Sequence, residues 1–526
     1  MTHAYFPLND VPYLSELIKD YLRDHPALRP FHAGLPSLES IKDLSEKREF
    51  DRRKREVLVE AIVQQYKNIP DYPATKSALE KLKEETSRTV TTGHQICLLS
   101  GPLFSLYKIA STINLARQME AHDSKRSYVP VFWMATEDHD FEEIDHVYVR
   151  DQKIVWKSDA TGAVGRITTK GITNFLDEVE SALPVHVLDS ALWSSAKAAY
   201  LESDDLASAT RDFFQLLFGR EGLVIVDADD PNLKSLATEE FESELTQRAS
   251  EKFVQNQSEA LETLGYKAQV FPREVNLFYL TENQRSRLEV GADGFETSDG
   301  AREWKTQELI QELHQNPEVF SPNVVLRPVF QEIILPNVAY VGGPGELAYW
   351  LQLKGVFENF SVPFPKLVLR GMATFLSPSI TRKMEQTGMS DEDIFLQKHD
   401  VIRKLTADHR PSFESDKQAI RQSLESIATK ASNVDASLEG MVKSTLAKQI
   451  KAVEQIEGRV DRAIKKQNED LVNRIEAIFD SLYPEGMPQE RRWNVLELIQ
   501  YTEANFITEL INIMDPLDNN FKIIKT

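Results

Sequence analysis

Three stretches of this chain place reactive side chains directly after runs that read as buried strands. In "VPVFWMATEDHDFEEIDH", residues 129–146, the apolar run stops at Glu137, Asp138, His139 and Asp140. A histidine flanked by carboxylates titrates near neutrality, so Asp138 and His139 are candidates for proton transfer. The same residues, helped by Glu137 and Asp145, could instead hold a divalent metal. A third reading is an acid-rich helix start that complements the backbone dipole, and "FEEID" fits that one best.

The second stretch is "TTGHQICLLSGPLFSLYK", residues 91–108. Gly93 ends a strand, and His94 and Gln95 sit in the loop entering a helix. Amides at a helix start attract anions, Gly101 permits close backbone approach, His94 can donate, and Lys108 can supply charge. A tight turn with a backbone-satisfied histidine explains the same residues equally well. The P-loop pattern is absent. The third stretch is "LRPVFQEIILPNVAYVGGPGELAYW", residues 326–350. Gly342, Gly343 and Gly345 form a turn after a strand, Glu346 falls in the first turn of the following helix, and Arg327 is a candidate anion clamp. Such a turn could cradle a nucleotide or substrate, though packing explains a lone glycine-rich turn as often. Asp227, Asp229 and Asp230 in "VDADDP" read as an ordinary acidic loop, and Tyr349 and Trp350 as core.

These residues act together only if the strands that carry them share a sheet. "RTVTTG", "VPVFWMA", "GLVIVDADD", "NVAYVG" and "PKLVLR" are short apolar runs separated by helical spacing, the pattern of a parallel sheet covered on both faces. Ligands of such sheets bind outside the carboxyl ends of the strands, where all three stretches would meet. The fold class expected is α/β, a Rossmann-like parallel core. Roughly ninety residues or more separate some neighbouring strands, too many for simple crossovers. Two small insertions near the working edge of the sheet are therefore expected, at about 145–215 and 230–325.

From about residue 412 the texture becomes helical. Ile420, Leu424, Ile427, Ala431, Val434, Leu438 and Met441 form one apolar stripe, which resumes at Leu446 after a five-residue step beside Gly440. The break means either a kink in one long helix or a turn between two antiparallel helices, and the hairpin is favoured because a lone helix would leave the seam bare. The domains expected are a core over 1–380 with N-terminal helices, a helical region over 381–482, and a segment over 483–526 that returns to the core. Within that last segment, residues 491–514 read as one helix and "FKIIKT" as an edge strand. The apolar seam can be satisfied within the hairpin or between two subunits, and its length suits a homodimer.

Composition narrows the function classes. The chain has 526 residues, 41% hydrophobic, with a formal net charge of −21. That charge argues against bulk binding of nucleic acid or anionic membrane, while leaving room for a local basic pocket. One cysteine, Cys97, allows no intrachain disulfide and suits a reducing cytoplasm. No apolar run approaches the ~20 residues of a membrane span, and the N-terminus lacks the pattern of a signal peptide.

The same three blocks, with "ENQRSRLEVGADGF" and "PQERRWNVLELI", resemble the BshC family, the cysteine-adding enzymes of bacillithiol biosynthesis. The resemblance runs over essentially the whole chain; one departure is His94, where the family pattern often carries glutamine. It implies a Rossmann-like core with two connecting insertions, an antiparallel coiled coil that pairs subunits, and a reaction joining L-cysteine to the amine of glucosaminyl-malate. ATP or ADP is implied as the nucleotide, and no metal is firmly implied. In this frame Asp138 and His139 would serve the sugar amine, and the Gly93–Gln95 loop and Arg327 would hold phosphate or the malate carboxylates. Two other classes stay open on the residues alone: a metal-dependent hydrolase or nucleotidyltransferase using Glu137 to Asp140, and a non-catalytic coiled-coil scaffold.

Overall fold

The computed structural model describes residues 2–67, 72–150, 152–407, 411–500 and 505–526. The chain forms two compact units, one of Met1–Thr374 with Met487–Ile524 and the other of Phe375–Gly486.

The first unit is built on five strands, β1 (Arg88–His94), β2 (Tyr128–Met134), β3 (Val224–Asp227), β4 (Asn337–Gly342) and β5 (Lys366–Leu369). Their order across the sheet is β5-β4-β1-β2-β3, and every neighbouring pair is parallel. All seven residues of β2 are buried, as a strand covered on both faces requires. Register decides what the carboxyl edge displays. His94 lies opposite Met134, Met134 opposite Asp227, and Gly342 opposite Leu369. The residues that follow these strands therefore emerge at one level.

Helix α1 (Leu103–His122) crosses from β1 to β2 and buries residues on every side, among them Leu103, Leu106, Tyr107, Ile109 and Ile113. A helix apolar all round must be enclosed. Two short helices complete the frame of the site, α2 (Arg327–Ile334) before β4 and α3 (Pro344–Trp350) after it.

The segment over 145–215 forms a two-stranded hairpin, His146–Val149 against Gln152–Val155, followed by four helices. The segment over 230–325 is more than a small excursion. It carries helices and its own five-stranded antiparallel sheet, in which Leu277–Leu280 pairs with Arg285–Val290 and with Phe320–Pro322. Its strands are short and half-polar, so in sequence they read only as charged texture. Near the C-terminus, residues 501–504 of the helix expected over 491–514 lie outside the described residues; on either side the chain forms Val495–Ile499 and Phe506–Ile513. The strand Asn520–Lys525 is the middle strand of a three-stranded sheet, not an edge strand. Its residues from Phe521 to Ile524 are all buried, which an edge position would not require.

The second unit contains the antiparallel hairpin of α4 (Glu414–Ser432) and α5 (Leu438–Gln467). Lys417, near the start of α4, pairs with Glu457, late in α5, at 2.7 Å. The turn falls over 433–437, earlier than the stripe break at Gly440 suggests. Asp435 accepts a hydrogen bond from the Ser437 amide there at 2.8 Å, a local bond that favours a turn over a continuing helix. Gly440 and the five-residue step lie inside continuous α5. Among the described residues, no helix is long and apolar enough to cross a membrane.

Candidate active site

The carboxyl ends of β1, β2, β4 and β5 open into one cavity of about 690 Å³, lined by Gly93 to Gln95, Glu137 and Asp138, Gly343 to Glu346, and Arg370. Two inner strands of the insertion sheet supply Phe278, Arg285 and Arg287 to the lining. Six arginines reach the lining, Arg273, Arg285, Arg287, Arg327, Arg370 and Arg491, against three carboxylates, Glu137, Asp138 and Glu346. A strongly acidic chain thus keeps a locally cationic cleft, and low-dielectric walls focus its field on anions.

Arg327 stands at the first turn of α2 with its guanidinium over the rings of Trp133 and Tyr340, 5.8 and 5.9 Å from their centroids. Nη1 donates to Gln331 Oε1 at 3.1 Å, and the buried Nη2 has no hydrogen-bond partner. Arg370 donates to both oxygens of Glu490, at 2.9 and 2.7 Å, in a pair only 2% and 3% exposed. Its Nε is buried and likewise unpartnered, close to Gly343. Buried donors of this kind cost free energy unless a ligand or water accepts from them. Both residues belong to the lining of the same cavity.

Asp138 lines the cavity. It accepts from Gln95 Nε2 at 3.1 Å, and Arg285 Nη1 stands 3.6 Å away. Arg285 itself is fixed by stacking 4.0 Å from the Phe278 ring and by donating to Ser321 Oγ and the Pro322 carbonyl. His139 keeps its place beside Asp138, its Nδ1 3.6 Å from Asp138 Oδ1, but does not line the cavity. Its side chain is 49% exposed and 3.3 Å from Arg285 Nη1. Asp140 is exposed and outside this cavity's lining, and Glu137 turns inward to Lys234 at 2.8 Å. Lys234, wholly buried, also holds Asp229 at 2.7 Å, and Asp229 holds Arg166. This ionic web anchors both insertions to the tip of β2. It also draws Glu137 away from Asp138 and Asp140, so the four residues do not converge as a metal-ligand set.

Several other expected roles are corrected by long-range pairing. Lys108 is 1% exposed and spends its charge on Glu346, 2.7 Å away, and on the Gly93 carbonyl. Glu346 accepts from Lys108, from the Tyr340 hydroxyl at 2.7 Å and from the Gly343 amide at 2.8 Å. Burial would raise its carboxyl, but Lys108 holds it below the usual range. The Gly343 amide is thus occupied by this cap rather than free to cradle phosphate. Gly343 and Gly345 do line the cavity, whereas Gly342 is a packing residue whose Cβ would meet Leu347 at 2.7 Å. His94 is pushed down to about 3, by burial first and by the charge of Lys108 next. It is a neutral imidazole, packed edge-on to Phe104, and brings no charge to an anion. Gly101, at φ +62° and tight against Cys97, lines a neighbouring cavity instead. Tyr349, expected in the core, lines the cavity, while Trp350 is fully buried.

Arg273, Arg285, Arg287, Arg370 and Arg491 stand outside the three candidate stretches of the sequence. For two of them a signal exists: in "RSRLEV", strand alternation puts Arg285 and Arg287 on one face.

Behind Arg327 runs a buried relay. Gln331 Nε2 donates to Glu332 Oε1 at 3.0 Å, and Asn337 Nδ2 donates to the same oxygen at 2.7 Å. Burial pushes the Glu332 carboxyl up to about 7, against the opposing pull of Arg48 and these hydrogen bonds. The folded chain therefore keeps a proton that the unfolded chain releases near 4.5, and stability falls as pH rises from about 4.5 through 7. Glu332→Gln removes this term. In urea unfolding, the stability of the variant relative to the parent is expected to rise by roughly 2–3 kcal/mol between pH 5 and pH 8; a difference independent of pH would remove Glu332 as the titrating group.

Comparison with known proteins agrees with this architecture. Residues 1–371 match the family model described as bacillithiol biosynthesis BshC, N-terminal Rossmann-like domain. Residues 373–526 match its C-terminal coiled-coil domain. A protein of Flavobacterium johnsoniae is 37% identical over 97% of both chains, and one of Christiangramia forsetii is 36% identical over 97% of both. A Bacillus cereus protein is 28% identical over 92% of this chain and 94% of its own. All three carry the name "Putative cysteine ligase BshC". A parallel core with a cationic cleft at its strand ends, a coiled-coil unit, and relatives matched from end to end lead to one statement: the chain belongs to the BshC family of bacillithiol biosynthesis, whose named relatives are ligases.

Proposed function

We propose that this protein is an amide-forming ligase that joins the carboxyl group of L-cysteine to the amine of glucosaminyl-malate, giving bacillithiol. The observation that carries the reading is the pairing of opposite chemistries in one cavity. Unpaired donors of Arg327 and Arg370 stand at one part of its lining, and the partly exposed carboxylate of Asp138 at another. Glucosaminyl-malate has that same polarity, two carboxylates at one end and an amine on the sugar. Arg327 and Arg370 take the malate carboxylates, and Asp138 holds the sugar amine and accepts its proton. The C–N bond forms as one C–O bond of the cysteine carboxyl breaks, and that oxygen would leave on the phosphoryl group supplied by ATP.

Amide formation from a free carboxylate is uphill in water, and ATP would supply the activation. The residues present suit its phosphates: Arg273 and Arg287 are exposed guanidiniums on the cavity lining. Their part is to bind and orient, with Arg285 keeping Asp138 in place. A cytoplasmic setting, where cysteine stays reduced, goes with this reading. So does pairing of two copies through the α4–α5 hairpin, which leaves Ile427, Val434, Met441 and Ile456 exposed along its length.

The test is direct. The purified protein, given glucosaminyl-malate, L-cysteine and magnesium ATP, is expected to yield a thiol with the mass of bacillithiol. Deletion of the gene is expected to leave glucosaminyl-malate accumulating. Unchanged cellular thiol pools after deletion would refute the assignment.

A further inference from the structure

A second cavity, of about 420 Å³, lies on the other side of the His94–Gln95 turn. Its own walls come from the loop after Cys97, from the 142–148 segment and from Arg492 and Asn494. It shares His94, Gln95, Phe104 and Arg491 with the larger cavity. The two spaces are therefore neighbours across a thin partition at the end of β1. Their charges differ. The larger cavity is dominated by arginine, whereas the smaller brings Glu142 and Glu143 together with Arg491 and Arg492.

Each wall is held by the fold. Arg492 is 6% exposed and lies 3.4 Å from the centroid of the Tyr148 ring. Asn494 donates to the Tyr148 carbonyl, which ties the hairpin strand to the C-terminal segment. His146 is positioned by Asp145 at 2.8 Å and sits edge-on to Tyr148, 5.2 Å away. Gln95 donates both to Glu143 in this cavity and to Asp138 in the other. Glu142 and Glu143 remain exposed.

We propose that this second cavity is the amino-acid subsite of the ligase, taking the ammonium of L-cysteine at Glu142 and Glu143 and its carboxylate at Arg491, beside the shared partition. The proposal rests on the reading of the larger cavity as the glucosaminyl-malate site. Its independent support is the mixed charge: an α-amino acid presents one cation and one anion a few bonds apart, and a lining with both signs complements it. A carboxylate held at Arg491 faces the wall that both cavities share. Because Arg491 lines both cavities, a carboxylate held there is open to the amine held near Asp138 in the larger one. The lone thiol of the chain does not compete in this chemistry, because burial keeps Cys97 protonated, pushed up to about 12.

The experiment is equilibrium dialysis of the full-length protein with radiolabelled L-cysteine under reductant, beside calorimetric titration with glucosaminyl-malate. The variants are Glu142→Gln, the double change Glu142→Gln/Glu143→Gln, and Arg327→Met. The first two alter exposed residues, so folding is preserved, and Glu142→Gln leaves the Gln95 contact untouched. The double change is expected to weaken cysteine binding roughly 10- to 100-fold and to leave glucosaminyl-malate binding within about threefold. Arg327→Met is expected to do the reverse. Cysteine binding unchanged in the double variant, or lost in Arg327→Met alone, would overturn the subsite while product formation by the parent protein still upheld the ligase reading. Absence of glucosaminyl-malate binding to the parent would fell that reading and the subsite with it.

Discussion

Replacing Arg327 by methionine is expected to lower kcat/KM for glucosaminyl-malate by roughly 10² to 10³. The reason is specific to its surroundings. One amino group of its guanidinium is already engaged by Gln331, so the side chain is held in one pose, and the other is buried with no partner of its own. A substrate carboxylate that meets Nη2 gains a charge-assisted bond without the entropy of ordering a free arginine. Methionine preserves the packing against Trp133 and Tyr340 but removes the donor. Most of the loss is expected in KM, because a carboxylate remote from the reacting amine is bound alike in ground and transition states. A change below threefold would mean that Arg327 does not touch the substrate.

The second large effect concerns stability. Glu490→Gln breaks the bidentate pair with Arg370, in which both side chains are almost wholly buried. The guanidinium is then left uncompensated beside the cavity, a change that costs about 3–5 kcal/mol in other buried pairs. Denaturant unfolding of the variant is expected to shift to clearly lower midpoints with an unchanged slope. Replacing both residues, Arg370→Met with Glu490→Met, is expected to recover most of the stability, since no buried charge is left alone, but not the activity, since the Nε donor is gone. Full activity in the double variant would show that Arg370 serves the fold only.

What could be read from the sequence was what local pattern encodes. The runs "VPVFWMA" and "NVAYVG" are long enough and apolar enough to be strands covered on both sides, and the rule that ligands gather beyond carboxyl ends then places Gly93, Asp138 and Gly343 in one cleft. What could not be read was pairing across long separations. Lys108 and Glu346 lie 238 residues apart, and nothing local says that they neutralise each other. Arg370 looks like the ordinary end of a strand until Glu490 fixes it. Alternation in "RSRLEV" puts Arg285 and Arg287 on one face of a strand, but nothing local says that this face meets the cavity. His139 follows Asp138 in sequence and stays within 3.6 Å of it, but only Asp138 lines the cavity, a difference in facing that local pattern does not encode. The hairpin turn was misplaced for a related reason: a skip in an apolar stripe signals a shift in supercoil as readily as a turn, and the Asp435–Ser437 bond was the better marker.

The central claim is that the cationic cleft at the strand ends receives glucosaminyl-malate with its charges aligned. A crystal structure of the protein soaked with that compound tests it most directly. The account predicts density in the larger cavity, with the malate carboxylates within hydrogen-bonding distance of Arg327 Nη2 and Arg370 Nε and the sugar amine at Asp138. Ordered compound bound elsewhere, with Arg327 and Asp138 both untouched, would contradict it.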